Sequence, residues 1–289
     1  MLSVLIVNWN TADLLCACLA SIRRHPPSTP YEVIVVDNAS ADGSVERIQR
    51  EHPEAVLLEE PRNLGYAGGN NAAFARAQGD LLLTLNPDTE AFDDTFDAAI
   101  GFMAGHPRCA ALGARQIGTD GKTQSSVRGF PTLLGILGDL TGLGRRHPGS
   151  IWDAYRLTGF DYETEQSAPQ PMGTFLLFRR TALGELGDPG RPFDERFPIF
   201  FNEVDLLYRL ADAGWEIWYS PKVRILHHGG EGTKQVRPAM IWESHRSLLR
   251  FFGKHRGPLY RWLVAPWLAL LVYGLAFVRA RGYHGGFRP

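Results

Sequence analysis

Several stretches of this 289-residue chain hold acidic, amide or imidazole side chains just where an apolar run ends. In LTLNPDTE (83–90) the run stops at Asn86-Pro87-Asp88. A hard cation such as Mg²⁺ or Mn²⁺ takes oxygen ligands, commonly one or two carboxylates plus phosphate oxygens, and Asp88 could supply one. The plainer alternative is a Pro-Asp turn that ends a strand. In EVIVVDNASADGS, Asp37 and Asn38 leave a second run. A carboxylate there could accept from a pyrimidine ring or a ribose hydroxyl, or could merely form an Asx turn. RNLGYAGGNNAA (62–73) has too many glycines for a plain helix start, and its amides could come close to a phosphate. It lacks the order of a Walker loop or a dinucleotide fingerprint. In FFNEVDLLYRL, Glu203 and Asp205 open a helix after an aromatic run. Either could act as a general base, although Asn202 as a cap and two acids at the positive helix end explain the pattern structurally. ILHHGGEGT places His227 and His228 at a strand end, where adjacent side chains point opposite ways.

Such residues need a scaffold that presents strand ends. LSVLIVN (Leu2–Asn8) is a β-branched run suited to a strand buried on both faces. Asn10 or Thr11 can cap a helix to about Arg24, ended by Pro26, Pro27 and Pro30. Further strands are expected at 32–38, 55–58, Leu81–Leu85 and 110–114, with helices opening at Ser44 and spanning 68–78 and 92–104. This pace of alternation predicts an α/β fold with a doubly wound, mostly parallel, Rossmann-like sheet. Ligands of such sheets bind beyond the carboxyl ends of the strands, where Asn8, Asp37, Asn63 and Asp88 fall. Residues 120–171 show no clean period and read as a loop-rich insertion. Strands at 172–180 and 216–219 and helices at 202–213 and 238–255 follow.

Composition narrows the class. Hydrophobic residues at 44% and charged residues at 21% describe a globular chain, and a net charge of −1 gives no reason to expect nucleic acid. Cys16, Cys18 and Cys109 read as small buried residues of a reducing compartment. Met1 runs straight into the apolar stretch at 2–7, too short for a signal core, so a cytoplasmic location is expected.

In order, IVNWN, VVDNASADGS, NLGYAGGNN, LNPD, MGTFLLFRR, FDERFPIFFNEVDLLYRL, AGWEIWYSP and HHGG resemble the inverting family-2 glycosyltransferases, especially their rhamnosyltransferase-like branch. The resemblance spans roughly residues 2–230, and the set is specific although no single piece is. It implies a GT-A fold, a nucleoside-diphosphate sugar donor (thymidine-diphosphate rhamnose as first guess) and Mg²⁺ or Mn²⁺. Its acceptor would be a hydroxyl of a glycan or a polyprenyl-linked glycan, in cell-surface polysaccharide synthesis. By this resemblance Asp88, with Asn86 beside it, holds metal and diphosphate. Asp37 contacts the nucleotide, and His227 or His228 completes the metal site. Asn8, Asn10, Asn38, Arg62, Asn63, Gly65 and Asn70 are the further donor-side candidates, and Met172, Gly173 and Phe201 the acceptor-side ones. The base of the family is the second acid of a Glu-Asp pair before Val-Asp-Leu, which here reads Asn202-Glu203-Val204-Asp205-Leu206. Glu203 is therefore the candidate base and Asp205 its alternative. With the neighbouring like charge gone, a lowered pKa is expected for Glu203.

Two other classes compete. A sugar nucleotidyltransferase would want a glycine-rich loop after the first strand, where this chain has Asn8-Trp9-Asn10. A non-catalytic nucleotide-sugar binder is the second, suggested by the Asn202-Glu203 departure.

The chain ends in PLYRWLVAPWLALLVYGLAFVRAR. The apolar core at 263–278 is shorter than the about 20 residues a spanning helix needs, and Pro266 lies inside it. Arg256, Arg261, Arg279 and Arg281 flank it, and Trp262, Trp267 and Tyr273 suit an interface. The organisation expected is a catalytic domain at 1–235 (donor side about 1–115, acceptor side and base 116–235). A helical segment at 236–289 would then rest on the inner face of the cell membrane. The alternative is a helix packed on the protein or in a homodimer contact.

Overall fold

The computed structural model describes residues 1–229, 237–257, 260, 262 and 264–279. Strands β1 (Leu2–Asn8), β2 (Tyr31–Asp37), β3 (Val56–Glu59) and β4 (Leu81–Leu85) alternate with helices α1 (Ala12–Arg24), α2 (Ser44–Glu51) and α3 (Gly65–Arg76). β5 (Thr89–Ala91), α4 (Thr95–Gly105) and β6 (Cys109–Ile117) follow. The region expected to be loop-rich holds β7 (Val127–Arg128), α5 (Leu133–Thr141), α6 (Leu143–Arg146), β8 (Gln166–Ser167) and β9 (Gln170–Pro171). Then come β10 (Phe175–Arg179), α7 (Arg180–Glu185), α8 (Asn202–Asp212), β11 (Glu216–His227), α9 (Arg237–His255) and α10 (Ala265–Arg279).

The main sheet has the order β3-β2-β1-β4-β10-β6-β11-β5, with β8 also on β11. β1, β2, β3 and β4 are mutually parallel, in a register that sets Asn8 level with Asp37 and Asp37 level with Glu59. β10 runs antiparallel to both β4 and β6, and β5 antiparallel to β11. The sheet is thus doubly wound and mostly parallel on its first half and mixed on its second, an α/β fold of the GT-A kind.

Every residue of β1 is buried, as a strand covered on both faces requires. One face packs Leu15, Leu19 and Ile22 of α1 with Phe96, Phe102 and Met103 of α4. The other packs Phe74 of α3, Leu183 of α7 and Leu206, Leu207 and Leu210 of α8. Each such fully buried side chain is worth roughly 1.5–3 kcal/mol relative to exposure. The paired arginines after β10 are structural. Arg179 donates to the carbonyls of Cys109, Met103 and His106 at the end of α4, and Arg180 to those of Gly79 and Ala77. The three cysteines are buried and free, as their types suggested.

Several boundaries differ from expectation for physical reasons. α3 begins at Gly65, so the glycines that looked like a phosphate loop lie inside a helix. A Cβ on Gly69 would come within 2.7 Å of Val7 Cγ1, so close helix–sheet packing explains that glycine. Thr11 sits at the N-cap of α1 without capping it; its hydroxyl donates to Asn8 Oδ1 instead. β11 runs on to His227 through register shifts near Ser220, well beyond the strand expected at 216–219. Pro266 occupies the first turn of α10, where a missing N–H costs nothing, and so does not interrupt the helix. Leu263, Arg261 and Arg281 of the predicted membrane segment lie outside the described residues, as does the expected 235/236 boundary. Among the described residues no helix is long and apolar enough to cross a membrane.

α9 is bound tightly to α8 and the turn before it. Phe251 joins Phe197 and Val204 in one apolar cluster, and α10 packs on α9 through Leu268 and Val272, which meet Leu248 and Phe252.

Candidate active site

The ends of β1 and β2 are joined by a closed set of side-chain bonds. Asn8 Nδ2 donates to Asp37 Oδ1 at 2.8 Å and to Ser40 Oγ at 3.2 Å, and the Ser40 amide donates to Asp37 Oδ2 at 2.8 Å. Asn10, at φ +52°, accepts from the Ala41 amide through Oδ1, stitching one exit loop to the other. Asn38 Nδ2 reaches the Gly65 carbonyl at 3.0 Å. Gly65 itself, at φ +73°, would put a Cβ 2.6 Å from the Pro198 carbonyl oxygen, so only glycine fits. Asn63 Oδ1 accepts from the Gly65 amide as an Asx turn, and Asn70 Nδ2 donates to Tyr66 O within α3. The structure therefore brings Asn8, Asn10, Asp37 and Asn38 together. Arg62 is exposed and lines a separate groove with Asn71, Arg191 and Glu195.

Past β4, Asn86 and Asp88 stand at the mouth of the sheet. The Asn86 amide is held by Thr174 O, while its buried Oδ1 has no hydrogen-bond partner among the described residues. Asp88 Oδ2 lies 3.5 Å from His227 Nε2, and both side chains are buried. Gln124 orients that ring. Its Nε2 donates to His227 O at 3.2 Å, which leaves Oε1 to accept from His227 Nδ1 at 2.7 Å. In the neutral tautomer this fixes, the Nε2 lone pair faces Asp88. A carboxylate oxygen and an imidazole nitrogen at that spacing, with the far ring nitrogen anchored, match two ligands of a divalent cation. His228, just past the end of β11, turns away, and its Nε2 meets Glu90 Oε1 at 2.9 Å. Gln124 sits in the region that showed no sequence period, and nothing in the sequence marked it. The residues suit Mg²⁺ or Mn²⁺.

α8 and the 171–174 turn bring together the residues expected on the acceptor side. Phe201, at φ +65°, is the N-cap of α8. Gly173 faces Glu203 closely enough that a Cβ would stand 3.5 Å from Glu203 Cγ. Tyr66 donates from its hydroxyl to Gly173 O at 3.0 Å, and burial, then the Glu203 charge, pushes its phenol pKa up. Met172 is exposed beside this turn. Burial also pushes the Glu203 carboxyl up to about 7, against the opposing pull of the Glu203 and Val204 amides. The lowered value expected from the loss of a like charge is thus corrected: desolvation outweighs the missing repulsion.

Asp205 is in the opposite situation. It is fully buried and accepts from His255 Nε2 at 2.7 Å, Lys254 Nζ at 2.9 Å and Arg209 Nε at 2.9 Å. Burial alone would raise its pKa, but the bonds from His255 and Lys254 and the Arg209 charge hold it below the ordinary value. Its oxygens are committed to tying α8 to α9. These partners, like Tyr66 and Glu90, were not singled out in the sequence; Lys254 and His255 lie some fifty residues from Asp205 in the chain, so no local pattern shows the bond.

A family model described as glycosyl transferase family 2 matches residues 3–187. The N-acetylglucosaminyl-diphospho-decaprenol L-rhamnosyltransferase of Mycobacterium tuberculosis is 30% identical over 291 residues, covering 93% of this chain and 91% of the relative. The O-antigen biosynthesis protein RfbC of Myxococcus xanthus is 24% identical, covering 89% of this chain but 20% of that protein. Among solved structures, the mannosyltransferase PcManGT from Pyrobaculum calidifontis, in complex with GDP-Man and Mn²⁺, aligns with a TM-score of 0.59 at 20% identity, over 98% of this chain and 76% of that one. S. aureus TarS 1–349 in complex with UDP-GlcNAc aligns with a TM-score of 0.55 at 17% identity, over 97% and 73%. At such identity the structural likenesses speak for the fold alone.

Proposed function

This chain belongs to glycosyl transferase family 2, and on that premise we propose that it moves rhamnose from thymidine-diphosphate rhamnose to a hydroxyl of a polyprenyl-linked glycan, with inversion. The observation that carries this reading is Glu203: a carboxylate beside Gly173 whose pKa of about 7 suits a base working near neutrality. The rhamnose and the lipid-linked acceptor are supported by the mycobacterial relative, which spans nearly the whole chain.

Each group has one task. The Asn8–Asp37–Ser40 bonds fix the nucleotide end of the cleft, with Asn10 and Asn38 bracing its two exit loops. Asp88 and His227 would hold Mg²⁺ or Mn²⁺, oriented by Gln124. A cation bound there would neutralise charge on the departing diphosphate. Glu203 takes the proton from the acceptor hydroxyl as its oxygen bonds to the anomeric carbon. The bond from that carbon to the diphosphate oxygen breaks, the electron pair leaves with the diphosphate, and a single displacement inverts the centre. Met172, Gly173 and Phe201 form the acceptor wall around this base.

Residues 1–235 then act as the catalytic part, and 236–289, which carries α9 and α10, as a segment that rests on the inner membrane surface. Trp267, Leu270 and Phe277 are exposed on α10, which supports that placement.

The test is transfer from thymidine-diphosphate rhamnose to N-acetylglucosaminyl-diphospho-polyprenol, with the anomeric configuration of the product read by NMR. Transfer with inversion is expected, lost in Asp88→Ala and in excess chelator. Gln124→Ala should weaken Mn²⁺ binding about 10–100-fold by releasing the His227 ring. A normal rate in excess chelator would remove the metal from the reading, and retention of configuration would remove Glu203 as a simple base.

A further inference from the structure

Away from the strand ends, a groove of about 420 Å³ lies between α5, the turn at 151–155 and the side chains of Arg256 and Tyr260. Leu133, Leu134, Ile151 and Ala154 give it apolar walls, and Arg256 and Tyr260 line it as well. Ile151 is 58% and Leu134 38% exposed, so the apolar wall is open to an incoming molecule. The turn lies hard against α5: a Cβ on Gly138 would fall 2.1 Å from Trp152 O, so glycine sets how near the two walls approach.

Two polar features are out of keeping with a plain surface crease. The Tyr260 hydroxyl is buried with no hydrogen-bond partner among the described residues. Arg256, exposed, is close enough for its charge to act on that phenol. Apolar walls together with a guanidinium and an unused hydroxyl donor describe a site for an amphiphile with an anionic head.

The position of the groove says which amphiphile. Leu133, Tyr155 and Tyr260 share one apolar cluster with Phe201, the residue that caps α8 two positions before Glu203. Leu268 and Val272 of α10 belong to the same cluster. On the other side of that helix Trp267 and Leu270 are 74% and 70% exposed. The groove thus borders the apolar cluster that also holds Phe201 and the buried face of α10, the helix whose other side is exposed. A stable protein partner would bury about 800 Å² on each side, more than this narrow feature offers, whereas a single flexible chain fits it.

We propose that this groove receives the lipid portion of the acceptor, a polyprenyl diphosphate, with the first isoprene units along Leu133, Leu134 and Ile151. The diphosphate meets the exposed Arg256 guanidinium, with the Tyr260 ring beside it. The assignment rests on the lipid-linked acceptor proposed above and adds where that lipid lies. It also gives the chain a means of choosing a lipid-linked sugar over the same sugar free in water.

The probe is farnesyl diphosphate, an isoprenyl diphosphate without a sugar, bound to the full chain without metal. Ile151→Glu changes an exposed side chain and Arg256→Gln an exposed cation, so both should fold. Each is expected to weaken farnesyl diphosphate binding at least about tenfold, while inorganic pyrophosphate competes poorly. With the lipid-linked acceptor each should raise KM by a similar factor. With a short water-soluble glycoside of the same sugar, kcat and KM should stay within about twofold of the parent. Failure of farnesyl diphosphate to bind, or equal losses on both acceptors, overturns the groove. The two readings separate cleanly. Binding that depends on Ile151 and Arg256 in a chain that transfers no sugar would leave the groove and remove the proposed transfer. Transfer to the lipid-linked acceptor that neither variant affects would do the reverse.

Discussion

Glu203 and Asp205 stand two residues apart at the start of α8, and the helix turns them toward different surroundings. Glu203 faces the Gly173 turn, where burial pushes its carboxyl up to about 7 and no cation pairs with it among the described residues. Asp205 faces α9, where His255, Lys254 and Arg209 converge on it and hold it ionised. The chemistry of the two side chains is nearly the same, so the difference lies in what the fold brings to each. A carboxylate that accepts from a lysine, an arginine and an imidazole has no tendency to take a proton near neutrality. One that is desolvated and has no cation beside it does. The same turn of helix thus holds a candidate base and the bolt that fixes it to the C-terminal helices.

The largest expected effect follows from removing the base. Glu203→Gln keeps shape and removes basicity, and should lower kcat by about 10²–10⁴-fold with donor affinity unchanged. In the parent enzyme kcat/KM should rise with pH and level off above about 7, because the ionised form is the active one. The stability of the fold should run the other way. A carboxyl whose folded pKa is raised favours folding fully below its ordinary value of 4.5, and that contribution fades as pH rises through about 7. Glu203→Gln should therefore melt higher than the parent at pH 8 and no higher at pH 4. A dead Asp205→Asn beside a fully active Glu203→Gln, both folded, would reverse the two roles.

Breaking the other carboxylate should act on stability before rate. Asp205→Asn leaves Lys254 and His255 partly unmatched in a buried setting, at a cost of about 3–5 kcal/mol. For a chain of this size that is a fall of roughly 2–4 °C in Tm for each kcal/mol. The folded pKa of Asp205 is lowered, so its contribution is present above the ordinary 3.8 and is lost as pH falls below it. The parent should lose stability on acidification more steeply than the variant. Thermal melts of both from pH 3 to 7 check this, and parallel curves would mean the network holds nothing together.

The first half of the fold was legible because it rests on local signals. Leu2–Asn8 and Leu81–Leu85 are apolar runs closed by polar turns, and strand ends in such a sheet converge, so Asn8, Asp37 and Asp88 could be grouped from spacing alone. What stayed hidden depends on distant partners or on context. Gln124 lies in an aperiodic region and gains meaning only because β11 delivers His227 to it. α5 opens with Thr132, which caps it through the Gly135 amide, but its glycines at 135 and 138 hid the helical period. The glycines of α3 suggested phosphate binding, whereas Val7 and Pro198 explain Gly69 and Gly65 by close packing. The direction of the Glu203 shift was missed because sequence shows a missing neighbour's charge and cannot show how deeply a side chain is buried.

That last miss suggests the gentlest way to sharpen the comparison. Asn202 is fully buried, donates from Nδ2 to Ile199 O at 2.6 Å and accepts the Glu203 amide through Oδ1 at 2.7 Å. Asn202→Asp keeps the accepting oxygen, gives up one donor and places a like charge beside the base. Repulsion disfavours the ionised form, so the acid limb of kcat/KM should move from about 7 upward by about one unit. The two carboxyls then titrate as a pair, and the upper of their two apparent steps is the one to follow. Parent and variant should differ by several fold in rate at pH 7 and converge at pH 9, where Glu203 is ionised in both. The repulsion assumed from sequence would then be measured directly, as an increment on top of the burial that dominates it. A limb that stays where it was, or moves down, would mean that another group sets the pH dependence and that Glu203 is not the base.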